Sequence, residues 1–178
     1  MKTDIREEID VPEGVQVKLD GALHVKGPKG EIVRQLSDPL VSLAVDKEKI
    51  VLTSTRATKR EKKKLYTFVA HINNMLKGVK KGFYYEMKIC AAHFPINVAV
   101  VGKELVIKNF LGEVAPRKLQ IHAGVTVKVN GDIVRIESID KELAGMTASD
   151  IELITRIRNR DRRVFQDGIF IVRKGAVE

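Results

Sequence analysis

Apolar and polar residues alternate in two short stretches of the chain. These stretches contain Val15, Val17 and Leu19, and Val125, Val127 and Val129. Alternation of this kind predicts strands that bury one face. Asp20-Gly21 follows the first stretch and Asn130-Gly131 follows the second, and both dipeptides tolerate the positive φ of two-residue hairpin turns. The pattern therefore predicts a hairpin at each place.

Apolar residues spaced three and four positions apart predict one helix in each half of the chain. The residues at this spacing are Leu65, Phe68, Val69, Ile72 and Leu76 in the first half, and Ile151, Ile154 and Ile157 in the second. Gly78 is predicted to end the first helix. Thr147 and Asp150 are predicted to form a capping box at the start of the second.

The chain contains two copies of one plan. "VKGPKGEI" at residues 25–32 aligns with "IKNFLGEV" at residues 107–114, and "IVLTS" at residues 50–54 aligns with "VRIES" at residues 134–138. The strands and helices recur in the same order. We therefore predict an α+β fold with an internal duplication, in which two modules, residues 1–82 and 83–178, each pack small antiparallel sheets with one helix.

Composition and charge restrict the function. The chain has 178 residues, a net charge of +9 and a pI near 9.7, which favour an acidic partner such as nucleic acid. It has no apolar run of roughly 18 residues for a spanning helix and no secretory apolar region near its start, so we expect a cytoplasmic protein. With Cys90 as the only cysteine, an internal disulfide and a cysteine-rich zinc site are both excluded.

A run of arginines near the C-terminus is the strongest candidate for binding. It consists of Arg156, Arg158, Arg160, Arg162 and Arg163. Arginine offers a planar fork of donors that binds phosphate in a bidentate way. If the chain after Asn159 is extended, Arg160 and Arg162 project to one side, opposite Asp161 and Arg163. The run then either grips phosphates or pins itself with an internal ion pair.

The chain flanking this run is predicted to hold it in place. Phe165 is expected to anchor it in the core, and Asp167-Gly168 to turn the chain into a short final strand, "IFIV". A second basic stretch, "RATKREKKK" at residues 56–64, lies at the start of the first predicted helix. Its Lys62, Lys63 and Lys64 are read either as phosphate contacts or as a solvated face.

The sequence patterns do not support an enzyme. "GPKG" at residues 27–30 falls between predicted strands and is read as a turn. "CAAH" at residues 90–93 provides two ligands, which do not make a zinc site. Cys90 is read as a buried structural thiol. We predict no catalytic residue, no metal and no cofactor.

Several segments resemble one protein family. "RIRNRDRRVFQDGIFIVRKG" at residues 156–175 resembles the C-terminal signature of large-subunit ribosomal protein six, in the archaeal and eukaryotic branch of that family. The eukaryotic members of this branch are called number nine. Further segments resemble the family in the same order: "VPEGV", "VKGPKGE", "AHINNMLKGVKKGF", "HFPINVAV" and "NFLGEVAPRK". The resemblance covers nearly the whole chain.

This resemblance implies a function as well as the duplicated fold. It implies a structural constituent of the large ribosomal subunit that binds large-subunit (23S) ribosomal RNA near the elongation-factor-binding site and the sarcin–ricin loop. Neighbouring ribosomal proteins are then partners, and translation factors lie close by. By analogy the second module carries the main RNA contacts, at Arg158, Arg160, Arg162, Arg163 and Lys174, with Arg117 and Lys118 as weaker candidates.

Two other functions remain open at this point. One is a free-standing RNA-binding regulator that uses the same basic residues, although the chain has no Trp and few aromatic residues placed to stack on bases. The other is an RNA-modifying enzyme that uses Cys90.

Overall fold

The computed structural model describes residues 3–46, 49–92 and 94–177. The chain divides into two compact units, Met1–Gly82 and Phe83–Glu178, here called unit 1 and unit 2. Each unit has its own sheets, helix and buried apolar residues. The two are described separately below.

Unit 1 contains strands followed by one long helix. In chain order these elements are β1 (Thr3–Asp10), β2 (Gln16–Asp20), β3 (Ala22–Gly27), β4 (Gly30–Arg34), β5 (Ser42–Val45), β6 (Lys49–Ala57) and α1 (Lys59–Lys81). The strands form two antiparallel three-stranded sheets, ordered β1-β6-β5 and β2-β3-β4. Helix α1 packs against both sheets and buries Leu65, Ile72, Leu76 and Val79 against them.

The N-terminus of α1 is closed by a capping box that the sequence analysis missed. Thr58 is the N-cap and its side chain accepts a hydrogen bond from the Arg60 N–H, at 3.3 Å. The Glu61 carboxylate accepts the Thr58 backbone N–H, at 2.8 Å. Glu61 therefore places a negative charge in the first turn of a helix whose other early residues are lysines and an arginine, which offsets the unfavourable interaction of cations with that end.

Helix α1 does not end at Gly78, so that prediction is wrong. Gly78 lies buried inside the helix, which continues to Lys81 and is closed by Gly82 at φ 77°. The Gly82 N–H donates to the Gly78 carbonyl oxygen, at 2.8 Å. A left-handed φ is required only at Gly82, and Val79 just beyond Gly78 is fully buried against the sheets, so packing extends the helix by one more turn.

The "GPKG" segment is a turn between strands, as predicted. Gly27 pairs with Gly30, so Pro28-Lys29 forms the loop of the β3–β4 hairpin. The Lys29 N–H donates to the carbonyl oxygen of Val79 in α1, at 3.0 Å. A Cβ built on Gly27 would lie only 2.8 Å from that oxygen. Glycine therefore permits the close approach of this hairpin to the end of α1.

Unit 2 repeats this order and adds a strand. Its elements are β7 (Phe83–Cys90), β8 (Asn97–Val101), β9 (Glu104–Lys108), a 3₁₀ turn (Phe110–Gly112), β10 (Arg117–Gln120), β11 (Val125–Asn130), β12 (Ile133–Ser138), α2 (Lys141–Ile154) and β13 (Gly168–Ala176). One antiparallel sheet has the order β10-β9-β8, and the other has the order β11-β12-β7-β13. These small sheets and single helices confirm the predicted α+β fold with its duplicated plan.

The core of unit 2 lies between its sheets and α2. Its buried side chains include Met87, Leu105, Ile107, Phe110, Ile136, Ile151 and Ile169. Leu105 and Ile107 come from the β9 sheet, Met87 and Ile136 from the larger sheet, and Ile151 from α2. Burying such side chains contributes about 1.5–3 kcal/mol each relative to leaving them in water. The final strand β13 joins this core through Ile169.

Both predicted hairpins are present, but their turns differ from the expectation. In the first, Leu19 pairs with Leu23 and the turn centres on Gly21 at φ 73°, so it is not a two-residue turn. In the second, Asn130 pairs with Ile133, and the two turn residues are Gly131 and Asp132, one position later than predicted. In each turn the glycine takes the positive φ, which fixes where the chain reverses.

The predicted capping box of α2 is wrong. The helix starts earlier, with Asp140 as the N-cap accepting the Glu142 N–H at 2.8 Å. Thr147 lies buried in the helix, where its hydroxyl donates to the Leu143 carbonyl oxygen at 2.9 Å. Its hydroxyl is satisfied within the helix. Ile157 lies beyond the end of α2, although it still packs against the core.

We expect Gly27→Ala to destabilise unit 1. Alanine in a strand normally stabilises relative to glycine, but here the added Cβ collides with the Val79 backbone. The free energy of unfolding should fall by about 1–3 kcal/mol, as for other overpacked sites. Urea unfolding followed by circular dichroism measures this change. Lys26→Ala, at the exposed neighbouring position, should change it by less than about 0.5 kcal/mol; equal losses in both variants would contradict the collision.

Candidate nucleic-acid interface

Residues 155–167 connect α2 to β13 and carry all five arginines of the run; they are here called the arginine segment. Its first residue, Thr155, is buried and ends α2. The Thr155 hydroxyl donates to the Ile151 carbonyl oxygen at 3.0 Å and accepts the Ile169 N–H at 3.3 Å. One side chain thus ties the end of the helix to the start of the final strand.

The other end of the arginine segment is held by Asp167. This carboxylate is 5% exposed and accepts the backbone N–H of Ala92, which follows β7. Gly168 then pairs with Cys90 as β13 begins, and Ile169 beside it is fully buried. The segment is therefore fixed to the core at both ends, which reduces the conformational entropy it would lose on binding a ligand.

The interior of the segment is folded into turns and is not extended. Asn159 adopts a left-handed conformation at φ 57°. The Asp161 carbonyl oxygen accepts the N–H groups of Val164 and Phe165, at 3.1 and 3.0 Å. The expectation that Arg160 and Arg162 alternate with their neighbours along an extended chain is therefore wrong. Asn159 reverses the chain, and Asp161 nucleates a turn directly after it.

Arg163 and Asp161 form the internal ion pair that was one of the two expectations. Their closest atoms, Nη2 and Oδ2, are 2.9 Å apart, and the Arg163 backbone N–H also donates to this carboxylate. The hydrogen bond from the Arg163 side chain lowers the pKa of Asp161, and the same contact raises the pKa of Arg163. The pair lies in solvent and shapes the turn locally.

Arg160 is held by an aromatic ring. Its guanidinium carbon lies 4.9 Å from the centroid of the Phe165 ring, a cation–π distance. Phe165 is half-buried, so it partly serves as the anchor that the sequence predicted. The hydrogen bond from Arg117 is the largest cause of the lowered pKa of Glu113, and the charge of Arg160 lowers that pKa further. Arg160 is therefore oriented but still exposed.

The remaining arginines, Arg156, Arg158 and Arg162, are exposed. None of the three has an ion-pair or side-chain hydrogen-bond partner among residues 3–46, 49–92 and 94–177. Their donors are available to solvent or to a bound anion. A group of unpaired guanidinium groups on a segment fixed at both ends is suited to binding several phosphates at once.

A cleft of about 880 Å³ opens beside the segment. Arg156 and Arg162 line it together with Lys88 of β7 and Phe170 of β13, which face each other across the paired strands. Sequence reasoning missed Lys88 and Phe170. Their only signal is the pairing of strands that lie about 80 residues apart in the chain, which no local pattern reveals.

Arg117, one of the weaker candidates for an RNA contact, makes several contacts within unit 2. Its guanidinium stacks 4.2 Å from the Phe110 ring centroid and forms hydrogen bonds of 2.8 and 2.5 Å with Glu113. A further bond of 2.5 Å reaches the carbonyl oxygen of Ile154, the last residue of α2. Arg117 therefore joins the 3₁₀ turn to the helix end from which the arginine segment leaves.

The Arg117–Glu113 pair affects stability in one pH range. The hydrogen bond from Arg117 lowers the pKa of Glu113 below its ordinary value of 4.5. Because the pKa of Glu113 is lower in the folded state than in the unfolded state, the pair stabilises the fold at pH values above the ordinary pKa of this carboxyl group. This contribution is lost as the pH falls through the lowered folded-state pKa.

The other predicted site residues are spread over the two units. Lys118 is 59% exposed and lies 3.9 Å from Glu104, and Lys174 is exposed on β13, roughly 20 Å along the strand from Gly168. Lys62, Lys63 and Lys64 lie in the first turns of α1 in unit 1, where the Lys64 amine is 2.5 Å from Asp38. Within unit 2, the arginine segment is the part that gathers the predicted cations together.

Among the described residues, no cluster of three or more His, Cys, Asp or Glu side chains is placed to hold a metal ion. His93, one of the two ligands considered in "CAAH", lies outside the described residues, and Cys90 is half-buried in β7. No helix in the described ranges is long and apolar enough to cross a membrane.

The sequence is similar to one family of known proteins. Residues 11–82 and 94–168 match the family model described as Ribosomal protein L6. The large ribosomal subunit protein uL6 of Methanospirillum hungatei is 46% identical over 169 residues, covering 94% of this chain and 96% of that protein. The uL6 proteins of Saccharolobus solfataricus and Methanococcus vannielii are 44% and 43% identical, covering 98% and 96% of this chain and 97% and 94% of their own. This chain belongs to the ribosomal protein L6 family.

Proposed function

We propose that this protein is a structural constituent of the large ribosomal subunit and that its arginine segment binds large-subunit ribosomal RNA. Family membership supports the first part. The observation that carries the second part is a set of three exposed arginines that have no ion-pair partner among the described residues, on a segment whose ends, Thr155 and Asp167, are both buried. Because the ends of the segment are fixed before RNA binds, these arginines can contact several phosphates without the entropic cost of ordering a flexible loop.

The cations have different roles in this proposal. Arg156, Arg158 and Arg162 bind phosphates directly. Arg160 and Arg163 are already oriented by contacts within the segment, and they bind phosphate through the guanidinium N–H groups that still face solvent. Arg117 positions the segment through Glu113 and Ile154. Lys118 and Lys174 are additional contacts at the periphery of unit 2. Lys62, Lys63 and Lys64 are separate RNA contacts of unit 1, with Lys64 the weakest because Asp38 occupies it.

The location on the RNA is also proposed. The resemblance of the segment "RIRNRDRRVFQDGIF" supports a position near the elongation-factor-binding site and the sarcin–ricin loop, among other large-subunit proteins and close to translation factors. Phosphate contacts position a protein on folded RNA without reading its bases. The turns of the arginine segment therefore recognise the shape of the RNA backbone.

The role is structural and the protein is not an enzyme, as is the case for its relatives in this family. Cys90 pairs with Gly168 inside the sheet and is half-buried, not fully buried as the sequence predicted. The protein acts in the cytoplasm as part of the large subunit.

We expect the triple substitution Arg156→Ala, Arg158→Ala and Arg162→Ala to weaken RNA binding while leaving the fold intact, since these side chains make no internal ion pair in the described structure. Filter binding to a transcript of large-subunit RNA that contains the sarcin–ricin loop, repeated at several KCl concentrations, measures the effect. The slope of log affinity against log salt should become shallower by roughly 2–3 units.

A matched control distinguishes the loss of these particular contacts from a general effect of lower net charge on RNA affinity. Lys103→Ala, Lys108→Ala and Lys128→Ala together remove the same charge from exposed positions of unit 2. This variant should retain most of the affinity. If both triple variants lose affinity equally, the arginine segment has no special role in binding.

Crosslinking in cells tests the proposed location. The tagged protein, crosslinked by ultraviolet light and recovered with its RNA, should give a dominant peak in large-subunit ribosomal RNA near the factor-binding region. The same peak should shrink in the arginine triple variant. Reads spread over messenger RNAs without a ribosomal peak would instead indicate a free-standing RNA-binding regulator.

We expect Arg117→Lys to destabilise unit 2, because an ammonium group cannot contact Glu113, Phe110 and the Ile154 carbonyl together. The free energy of unfolding should fall by about 1–3 kcal/mol, as for other lost charged hydrogen bonds. Hydrogen exchange should also become faster in residues 155–167. Lys118→Ala serves as the control and should leave both quantities nearly unchanged. Loss of RNA affinity with unchanged stability would show that Arg117 is a phosphate ligand and not a positioning residue.

A further inference from the structure

The two units share one sheet plan but differ at one edge. The sheet β5-β6-β1 of unit 1 corresponds to β11-β12-β7 of unit 2, and in unit 2 the outer edge of β7 is paired with β13. In unit 1, no described residue pairs with the outer edge of β1. An unpaired edge presents a row of backbone N–H and C=O groups that an added strand can pair with.

The strand registers show which residues correspond. Glu8 of β1 lies opposite Val51, and Glu86 of β7 lies opposite Arg135. Val51 and Arg135 occupy the same place in the repeated segments "IVLTS" and "VRIES". Glu8 and Glu86 are therefore equivalent positions. On the outer side of Glu86, β13 places the cation Arg173 directly opposite.

The charge of β1 is opposite to that of the protein as a whole. Residues Thr3–Asp10 carry four carboxylates and one guanidinium, a net charge of −3 in a chain of +9. Several of these side chains are well exposed, with Asp10 86% exposed and Glu8 38% exposed. Lys49 and Arg6 contact Glu8, so this charge is partly balanced. The remaining negative charge disfavours RNA and a second copy of the same edge as partners.

We propose that the outer edge of β1 binds an extended lysine- and arginine-rich segment of a partner protein, which adds to the sheet as an antiparallel strand. Backbone hydrogen bonds supply the attachment, and the carboxylates of β1 select a basic strand. The chain itself contains an example of this arrangement, because β13 with Arg173 and Lys174 occupies the equivalent edge of unit 2. Unit 1 has the same scaffold, and none of its described residues forms the corresponding strand.

This inference does not depend on the proposed RNA contacts, because it concerns unit 1 and a protein partner. A binding test with the isolated full-length chain and no RNA therefore distinguishes the two. Failure of the strand proposal leaves the role of the arginine segment intact, and the reverse also holds.

The test uses a synthetic peptide with the sequence of Gly168–Ala176, extended by lysines at both ends. It is titrated into the ¹⁵N-labelled full-length chain and followed by amide NMR. We expect shift changes along Thr3–Asp10 and slower hydrogen exchange at alternate amides of β1. Shifts confined to other regions would overturn the proposal, and so would concentration-dependent self-association through β1 in the absence of peptide.

Backbone methylation separates strand pairing from simple charge attraction. Two versions of the peptide carry N-methyl groups on opposite sets of alternate residues and have identical charge. A paired strand uses only one set of its amides, so one version should bind about tenfold weaker than the other or worse. Equal binding by both versions would overturn the proposal.

A charge variant tests selection by β1. Glu8→Gln with Asp10→Asn keeps the shape of both side chains and changes the net charge of the strand from −3 to −1. Peptide affinity should fall several-fold, more steeply at low salt. Asp20→Asn with Glu104→Gln removes two charges elsewhere and should leave the affinity unchanged. Equal effects of the two pairs would show that β1 does not select the peptide by charge.

Discussion

The pairing of β13 with β7 is the interaction on which the arginine segment depends. It brings Gly168 against Cys90 and carries Ile169 into the core. The hydrogen bonds of Thr155 and Asp167 then have fixed partners at Ile169 and Ala92. Without this strand, the C-terminal end of the segment would be free, and ordering each freed residue on binding would cost about 1–2 kcal/mol of backbone entropy.

Arginines that look alike in the sequence have three different roles in unit 2. The Arg117 guanidinium donates hydrogen bonds within the protein, to Glu113 and to the Ile154 carbonyl oxygen. Arg160 and Arg163 are held by Phe165 and Asp161 within the segment. Arg156, Arg158 and Arg162 keep their donors available, and the proposed RNA contacts rest mainly on them. Which role an arginine takes depends on the acceptors and rings that the fold brings near it.

The duplication also shows how one scaffold acquires different surfaces. Both units place a helix against a sheet in which β6 or β12 is an inner strand. Unit 2 lengthens the chain after its helix into the arginine segment and β13, which covers the edge of β7. Unit 1 keeps the corresponding edge of β1 uncovered within the described residues and makes it acidic. An edge strand with such charges discourages pairing with like strands.

Local patterns in the sequence determined the hairpins, the two helices, the duplicated α+β plan and the candidate arginine run. Such signals arise between residues that are close in the chain, so turn glycines and apolar spacing are sufficient to read them. Helix ends were less well predicted. Gly78 is carried into α1 by the packing of Val79, and Thr147 lies inside α2 because Asp140 caps that helix earlier.

Only the tertiary structure decided the arrangement of the site. The turn at Asp161, the internal role of Arg117 and the approach of Lys88 to Phe170 all depend on contacts with particular geometry. Lys88 and Phe170 meet because β7 and β13 pair across about 80 residues of chain, and alternation within a strand does not specify which strand will be its neighbour. The sequence by itself determined which residues carry charge. The fold decided which of those charges are paired within the protein and which remain available to a partner.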